Sequence, residues 1–465
     1  MEDKDSFDSC KVSYFPHKFK DIWERTKYIF NKEIKTISDI NETFYEGKSK
    51  LFKEIEQSYP EEGLEFIKVY PNIRSLVLDS DKLFKDEIII LESNTTNKII
   101  LTRKQVALIF IFGFFDIFLL GIEKMRVNNR YIFCEILNSD KGVNLSKGRS
   151  FLNYLTVIGK WLEEKNLILE EKVYFIREKK NFDVKNFYNI KTLCDLEIIE
   201  EGSLFDSEAS FCVDFANKFI GGGVLRRGCV QEEILFAVEP EAIVSMFLME
   251  KMEAKDAIRI DNLIKYSNYS GYSRTFKYEG NALKDGKIIR HNIIAIDAIF
   301  DLKSGGLEKE FTKRDLIKAY VGFNLINFKD KEIPELKKTI ATGNWGCGAF
   351  GGDYELKFIQ QWLGATYAGV EKLYYYTFNI EKMKFVIQNF EAIKSLNVED
   401  LYSRMIGEKL IKGKVLEIIL NSKIEGKNQM DKINQIDEKN KTDKNNKKEK
   451  GESKKKENNK KCCIY

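Results

Sequence analysis

Three glycines in a row, Gly221, Gly222 and Gly223, close the run Val213-Asp214-Phe215-Ala216-Asn217-Lys218-Phe219-Ile220. After a spacer of seven residues comes Gln231-Glu232-Glu233. Consecutive glycines let backbone N–H groups approach an anion that any Cβ would hold off. Two adjacent carboxylates repel each other, and one of them, partly buried and hydrogen-bonded, can keep its proton above the usual range. Beside an anion site, that pair suggests acid chemistry on a sugar attached to phosphates. There a carboxylic acid protonates the leaving oxygen as an oxocarbenium-like state forms. Taken separately, each piece has a plainer use: a tight turn for the glycines, a solvated face or first-turn charge for the glutamates. Their succession is what points to chemistry.

Two further segments carry aromatic and glycine residues of the same kind. Tyr266-Ser267-Asn268-Tyr269-Ser270-Gly271-Tyr272 is dense in tyrosine, and an aromatic face suits a purine. Ala341-Thr342-Gly343-Asn344-Trp345-Gly346-Cys347-Gly348-Ala349-Phe350-Gly351-Gly352-Asp353 leads into a helical pattern, a second anion cradle backed by a helix N-terminus. Cys347 has no base nearby in sequence and reads as packing.

Together these segments resemble the poly(ADP-ribose) glycohydrolase family of eukaryotic type, with specific matches from about residue 190 to 378. The resemblance implies a macrodomain fold and hydrolysis of ribose–ribose O-glycosidic bonds in poly(ADP-ribose), mainly from the chain end, releasing ADP-ribose. It implies Glu233 as general acid/base, with Glu232 and Asp214 completing the catalytic set and Glu232 holding ribose hydroxyls that Gln231 helps orient. Water is the nucleophile, and neither metal nor cofactor is called for. Gly221, Gly222 and Gly223 would carry the diphosphate and the glycosidic region, with Asn217 near the ribose being cleaved. Tyr272 would clamp the nucleotide, Phe378 would be the second adenine-side aromatic, and Asn344 and Phe350 would be ligand contacts. One departure stands at Phe205, where the family usually has a glutamate against the adenine amino group; Asp206 is one step away. The alternative is a macrodomain reader that binds ADP-ribose without turnover, against which the intact Gln-Glu-Glu argues. A P-loop nucleotidase is excluded, since no G-x-x-x-x-G-K-[ST] element is present.

The elements that must position these residues follow from periodicity. Residues 1–164 read mainly as helices, from spacings of three to five between apolar residues. From about 165 the period changes, and strands are expected at 173–176, 193–199, 211–215, 243–248, 257–264, 293–300 and 373–378, with helices at 313–321 and 354–368. The expected fold class is α/β: a macrodomain-like mixed sheet sandwiched by helices, behind an N-terminal helical accessory region. The domain division is 1–164 helical, 165–423 catalytic with C-terminal helices, and 424–465 a disordered tail rich in Lys and Asn. The apolar stretch 106–122, with a charge at Asp116, reads as a buried helix rather than a membrane span.

Composition bounds the rest. The 465 residues are 43% apolar and 13% aromatic, which indicates a globular chain. A net charge of +4, from 76 basic and 72 acidic side chains, is no nucleic-acid footprint, so no sequence-specific nucleic acid partner is expected. Eight cysteines without a C-x-x-C pair fit reduced thiols of the nucleus or cytoplasm. His17 and His291, the only two histidines, read as structural or solvated. The charged start at Met1 gives no signal peptide. Cys462-Cys463-Ile464-Tyr465 behind a lysine-rich stretch is read chiefly as a basic tail, with a lipid anchor and weak membrane association as the lesser alternative. The expected partner is poly(ADP-ribose) on modified proteins, including those of the DNA damage response, and the expected state is monomeric.

Overall fold

The computed structural model describes residues 11–12, 20–84, 88–117, 133–187 and 189–422. His17, Cys10, the 424–465 tail and the end of the 106–122 stretch lie outside the described residues.

Apolar runs in this chain become buried helices or buried strands according to their length and flanks. The run after Thr102 becomes the helix Arg103–Phe114 because Thr102 and Gln105 cap it reciprocally. The Gln105 N–H donates to Thr102 Oγ1 at 3.2 Å, and the Thr102 N–H to Gln105 Oε1 at 2.8 Å. Every residue from Val106 to Phe114 is buried, as a helix apolar on all sides must be. The helix therefore begins before residue 106 and stops well short of 122, with Asp116 taking a left-handed φ of 55°. Arg103, fully buried, ties it to the sheet through Glu241 and the Asn262 carbonyl at 2.8 Å. Among the described residues no helix is long and apolar enough to cross a membrane.

In chain order the strands are β1 (Lys11–Val12), β2 (Ile88–Ile89), β3 (Asn97–Thr102), β4 (Lys172–Lys179), β5 (Asp195–Ile199), β6 (Phe211–Asp214), β7 (Asp256–Ile264), β8 (Ser267–Ser270), β9 (Lys277–Asn281), β10 (Arg290–Ala295), β11 (Thr339–Gly343) and β12 (Lys372–Tyr376). Eight of them form one mixed sheet in the order β3-β4-β7-β10-β6-β11-β12-β5. From β10 to β5 the neighbours run parallel, whereas β3, β4 and β7 are antiparallel. Helices Arg103–Phe114, Gly142–Glu163 and Gln231–Val238 pack one apolar core, and Lys309–Asn324, Tyr354–Ala368 and Val398–Gly407 pack another across the sheet. This is the expected mixed sheet between helical layers. Asp214 pairs with Ala295 and Gly343 with Tyr376, so the parallel strands end together at one carboxyl edge. In open α/β sheets ligands bind in the crevice outside that edge.

Several expected elements differ. Residues 243–248 are not a strand: a 3-10 turn, Pro240–Val244, continues into the helical turn Ser245–Leu248. A short apolar run does not distinguish the two, and Pro240 at the first position suits a helical start. β3 lies inside the stretch read as helical; its alternation of buried and half-exposed residues spans only a few positions. The strand expected at 293–300 ends at Ala295 and the one expected at 373–378 at Tyr376. β8, β9 and β11 were not expected as strands.

Candidate functional site

The turn after β6 is shaped by the three side chains that open the helix Gln231–Val238. Gln231 extends the strand, accepting the Phe215 N–H at 2.9 Å and donating to the Val213 carbonyl at 2.9 Å. Glu232 accepts the N–H groups of Asn217 at 2.9 Å and Gly221 at 2.7 Å. Glu233 accepts those of Gly223 and Val230, each at 2.9 Å, the second being the reach-back of a third-position glutamate at a helix start. The Gly222 N–H donates to the Phe219 carbonyl at 3.1 Å. All three glycine N–H groups thus have acceptors within the loop. Those of Gly221 and Gly223 hold carboxylates, and that of Gly222 a backbone carbonyl. The glycines are needed for that docking. Gly221 and Gly222 have φ of 84° and 49°, and a β-carbon on Gly228 would stand 2.6 Å from Glu233 Oε1.

Asp214, Glu232 and Glu233 are 0%, 3% and 7% exposed, so Glu233 is the one of the three most open to a substrate. Neither Asp214 oxygen has a hydrogen-bond partner among the described residues. Burial, and then the charge of Glu233, raise the Asp214 carboxyl well above the ordinary carboxylate range. Burial likewise raises Glu232, reinforced by Asp214 and Glu233 and opposed by the N–H groups of Asn217 and Gly221. Asn217 turns its own Oδ1 to the Phe219 N–H at 3.1 Å.

A cavity of about 890 Å³ opens at the carboxyl edge of the sheet, a size usual for small-molecule sites. Gln231, Tyr272, Asn344, Phe350 and Phe378 line it; Asp214, Asn217, Gly221, Gly222, Gly223, Glu232 and Glu233 do not, and border it through Ala216, Val230 and Gln231. Tyr272, more than half exposed, stands on the rim in the turn that joins β8 to β9. Asn344 Nδ2 donates to the Thr377 carbonyl at 3.0 Å and so binds the ends of β11 and β12 together. Phe378 holds a left-handed φ of 54°, and its ring lies 2.8 Å from where a β-carbon on Gly343 would be. Phe350 packs edge-on against Phe300 at 5.7 Å. Gly348, Ala349 and Phe350 line the cavity, and their N–H groups meet no acceptor among the described residues. The second glycine loop therefore has backbone donors available for an anion.

His291, read from sequence as structural, is buried on the cavity wall. Its Nδ1 meets Glu239 and its Nε2 the Phe205 carbonyl at 2.8 Å. It thereby fixes the Phe205–Asp206 wall, where the resemblance expects a glutamate. Burial works against its charge, but Glu239 and the Phe205 carbonyl outweigh burial and raise its pKa. Lys147 is a second residue not singled out from sequence, because it sits in an ordinary helix far from the loop it touches.

Residues 184–385 match the family model described as poly(ADP-ribose) glycohydrolase, Macro domain fold, and residues 59–177 match the one described as its helical domain. The chain is thus a macrodomain-fold protein preceded by a helical region. It belongs to the poly(ADP-ribose) glycohydrolase family, a family of hydrolases. It is 28% identical over 361 residues to the probable poly(ADP-ribose) glycohydrolase 2 of Arabidopsis thaliana, covering 66% of this chain and 68% of that protein. With poly(ADP-ribose) glycohydrolase 1 of Caenorhabditis elegans it shares 35% over 265 residues, 52% of this chain and 32% of that one. The chain therefore spans about two thirds of the plant relative and about a third of the nematode one. A solved poly(ADP-ribose) glycohydrolase from Thermomonospora curvata, bound to the inhibitor ADP-HPD, aligns with 40% of this chain and 73% of its own. That alignment has 15% identity and a TM-score of 0.28, too low to bear on the site.

Proposed function

We propose that this chain hydrolyses ribose–ribose O-glycosidic bonds of poly(ADP-ribose) on modified proteins, mainly from the chain end, releasing ADP-ribose. The observation that carries the reading is Glu233, held through both carboxylate oxygens by backbone N–H groups beside a cavity walled by Tyr272, Phe350 and Phe378. In the reaction, protonated Glu233 gives its proton to the leaving ribose oxygen as the bond to the anomeric carbon breaks. A water then adds to that carbon, and the Glu233 carboxylate takes the water's proton, which restores the acid. Glu232 and Asp214 complete the carboxylate cluster, Glu232 holding ribose hydroxyls. Asn217 is assigned to the ribose under attack and Gln231 to orienting it. Tyr272 and Phe378 take the adenine, and the loop at Asn344 and Phe350 takes the diphosphate side. The chemistry is assigned to residues 165–423, with 1–164 in support.

The test is incubation of wild type and Glu233→Gln with long poly(ADP-ribose), following free ADP-ribose by chromatography and ADP-ribose binding by calorimetry. Release by wild type and its loss in the variant, with binding kept, is the expected result. Binding by both with release by neither would make the protein a reader and overturn the proposal.

A further inference from the structure

Lys147 belongs to the helix Gly142–Glu163 and is fully buried. Its ammonium meets the carbonyl oxygens of Val224 at 2.9 Å and Gly228 at 2.8 Å, and that of Arg226 between them. These three carbonyls alternate along the segment that joins Gly223 to Val230. The two ends of that segment supply both N–H groups that Glu233 accepts. An ammonium has three protons, and here each finds a carbonyl. Without it, three carbonyl oxygens would converge in the interior with no donor, a costly arrangement for buried acceptors.

We propose that Lys147 is a positioning residue for the hydrolysis. It fixes the 224–228 segment and, through it, the two N–H groups that aim Glu233, so a helix of the N-terminal region sets the geometry of the reacting carboxylate. The inference rests on Glu233 being the acid, as proposed above. Glu135, Cys229 and Glu233 are the titratable groups that face the ammonium. Burial brings the Lys147 pKa down to about 8 and pushes the Cys229 thiol up to about 11, so the two titrate apart. Loss of one proton leaves a lone pair facing one carbonyl and loosens the segment.

Lys147→Met keeps the apolar stem and removes the ammonium. It is assayed beside wild type, Lys147→Arg and Glu233→Gln on long poly(ADP-ribose), with ADP-ribose affinity measured separately. For Lys147→Met, kcat is expected to fall about 10²-fold while ADP-ribose Kd stays within about threefold, the mark of a misaimed group in an intact site. In wild type, kcat is expected to decline through about pH 8, and in Lys147→Arg that decline is expected to vanish. An unchanged kcat in Lys147→Met, or a loss matched by an equal loss of ADP-ribose binding, overturns the inference. Normal turnover by Glu233→Gln sinks the acid assignment and this inference with it. An inactive Glu233→Gln beside a fully active Lys147→Met sinks this inference alone. Should Lys147→Met not fold, Lys147→Gln is assayed in its place, and an unchanged kcat, or a loss matched by an equal loss of ADP-ribose binding, overturns it.

Discussion

A β-carbon on Gly222 would stand 2.6 Å from Oε1 of Glu233, and equally close to Oε2 of Glu232. The glycine and the two carboxylates are a single fitted unit. Gly222→Ala adds this clash to a φ of 49°, itself worth about 1–2 kcal/mol for a non-glycine residue. The expected outcome is a lower Tm together with a kcat at least about 10²-fold down, read by calorimetry and polymer turnover. A variant as active as wild type would show that the carboxylates need no such fit.

Asp214 gives a prediction about pH. Its carboxyl is raised above the unfolded value by burial and by Glu233, so its stabilising share is complete below the unfolded pKa and is lost as pH rises toward the folded one. At neutral pH the buried, unpartnered group is a cost. Asp214→Asn is expected to raise Tm by roughly 2–4 °C per kcal/mol relieved, with a gain that grows from about pH 4 upward, while turnover falls. A Tm gain that does not change with pH would remove the argument.

Tyr272 stands more than half exposed on the rim of the cavity. Stacking on a base is worth about 1–3 kcal/mol, so Tyr272→Ala is expected to weaken ADP-ribose binding by about 5- to 150-fold. Tm should stay put. Calorimetric titration decides it, and an unchanged Kd would free the adenine from this ring.

His291 follows the same sign as Asp214, since its folded pKa is also raised. Its pKa is raised, burial being outweighed by Glu239 and the Phe205 carbonyl, so its contribution is full below its ordinary 6.5 and fades as pH climbs through the raised value. His291→Gln should therefore lose most Tm relative to wild type near pH 6 and least in alkali. Melting curves across that range test it; a gap that does not vary with pH would mean the ring is neutral throughout.

What could be read from sequence was what lies close along the chain. From Val213 to Glu233 the strand, the glycine turn and the helix start form one local unit, and its residue types carry their reasons with them. The same glycines nevertheless admit two uses. Only the geometry shows that N–H groups of this turn hold Glu232 and Glu233. Lys147 and His291 act through distant partners, and nothing in their own neighbourhoods marks them. β11, Thr339-Ile340-Ala341-Thr342-Gly343, has one branched aliphatic residue and reads poorly as a strand, although it lies inside the sheet between β6 and β12. The turn at 240–248 and the edge strand β3 were missed because short apolar runs look alike in either conformation.

β3 pairs with β4 along its whole length, Asn97 opposite Arg177 through Thr102 opposite Lys172. A fragment begun at residue 165 would keep β4 but strip its outer neighbour. A row of unpaired N–H and C=O groups would then flank Val173 and Phe175, an invitation to self-association. Expressed alone, the sheet-bearing part is thus a recipe for insoluble material, and a protease cut between the two parts would not yield two independent folding units.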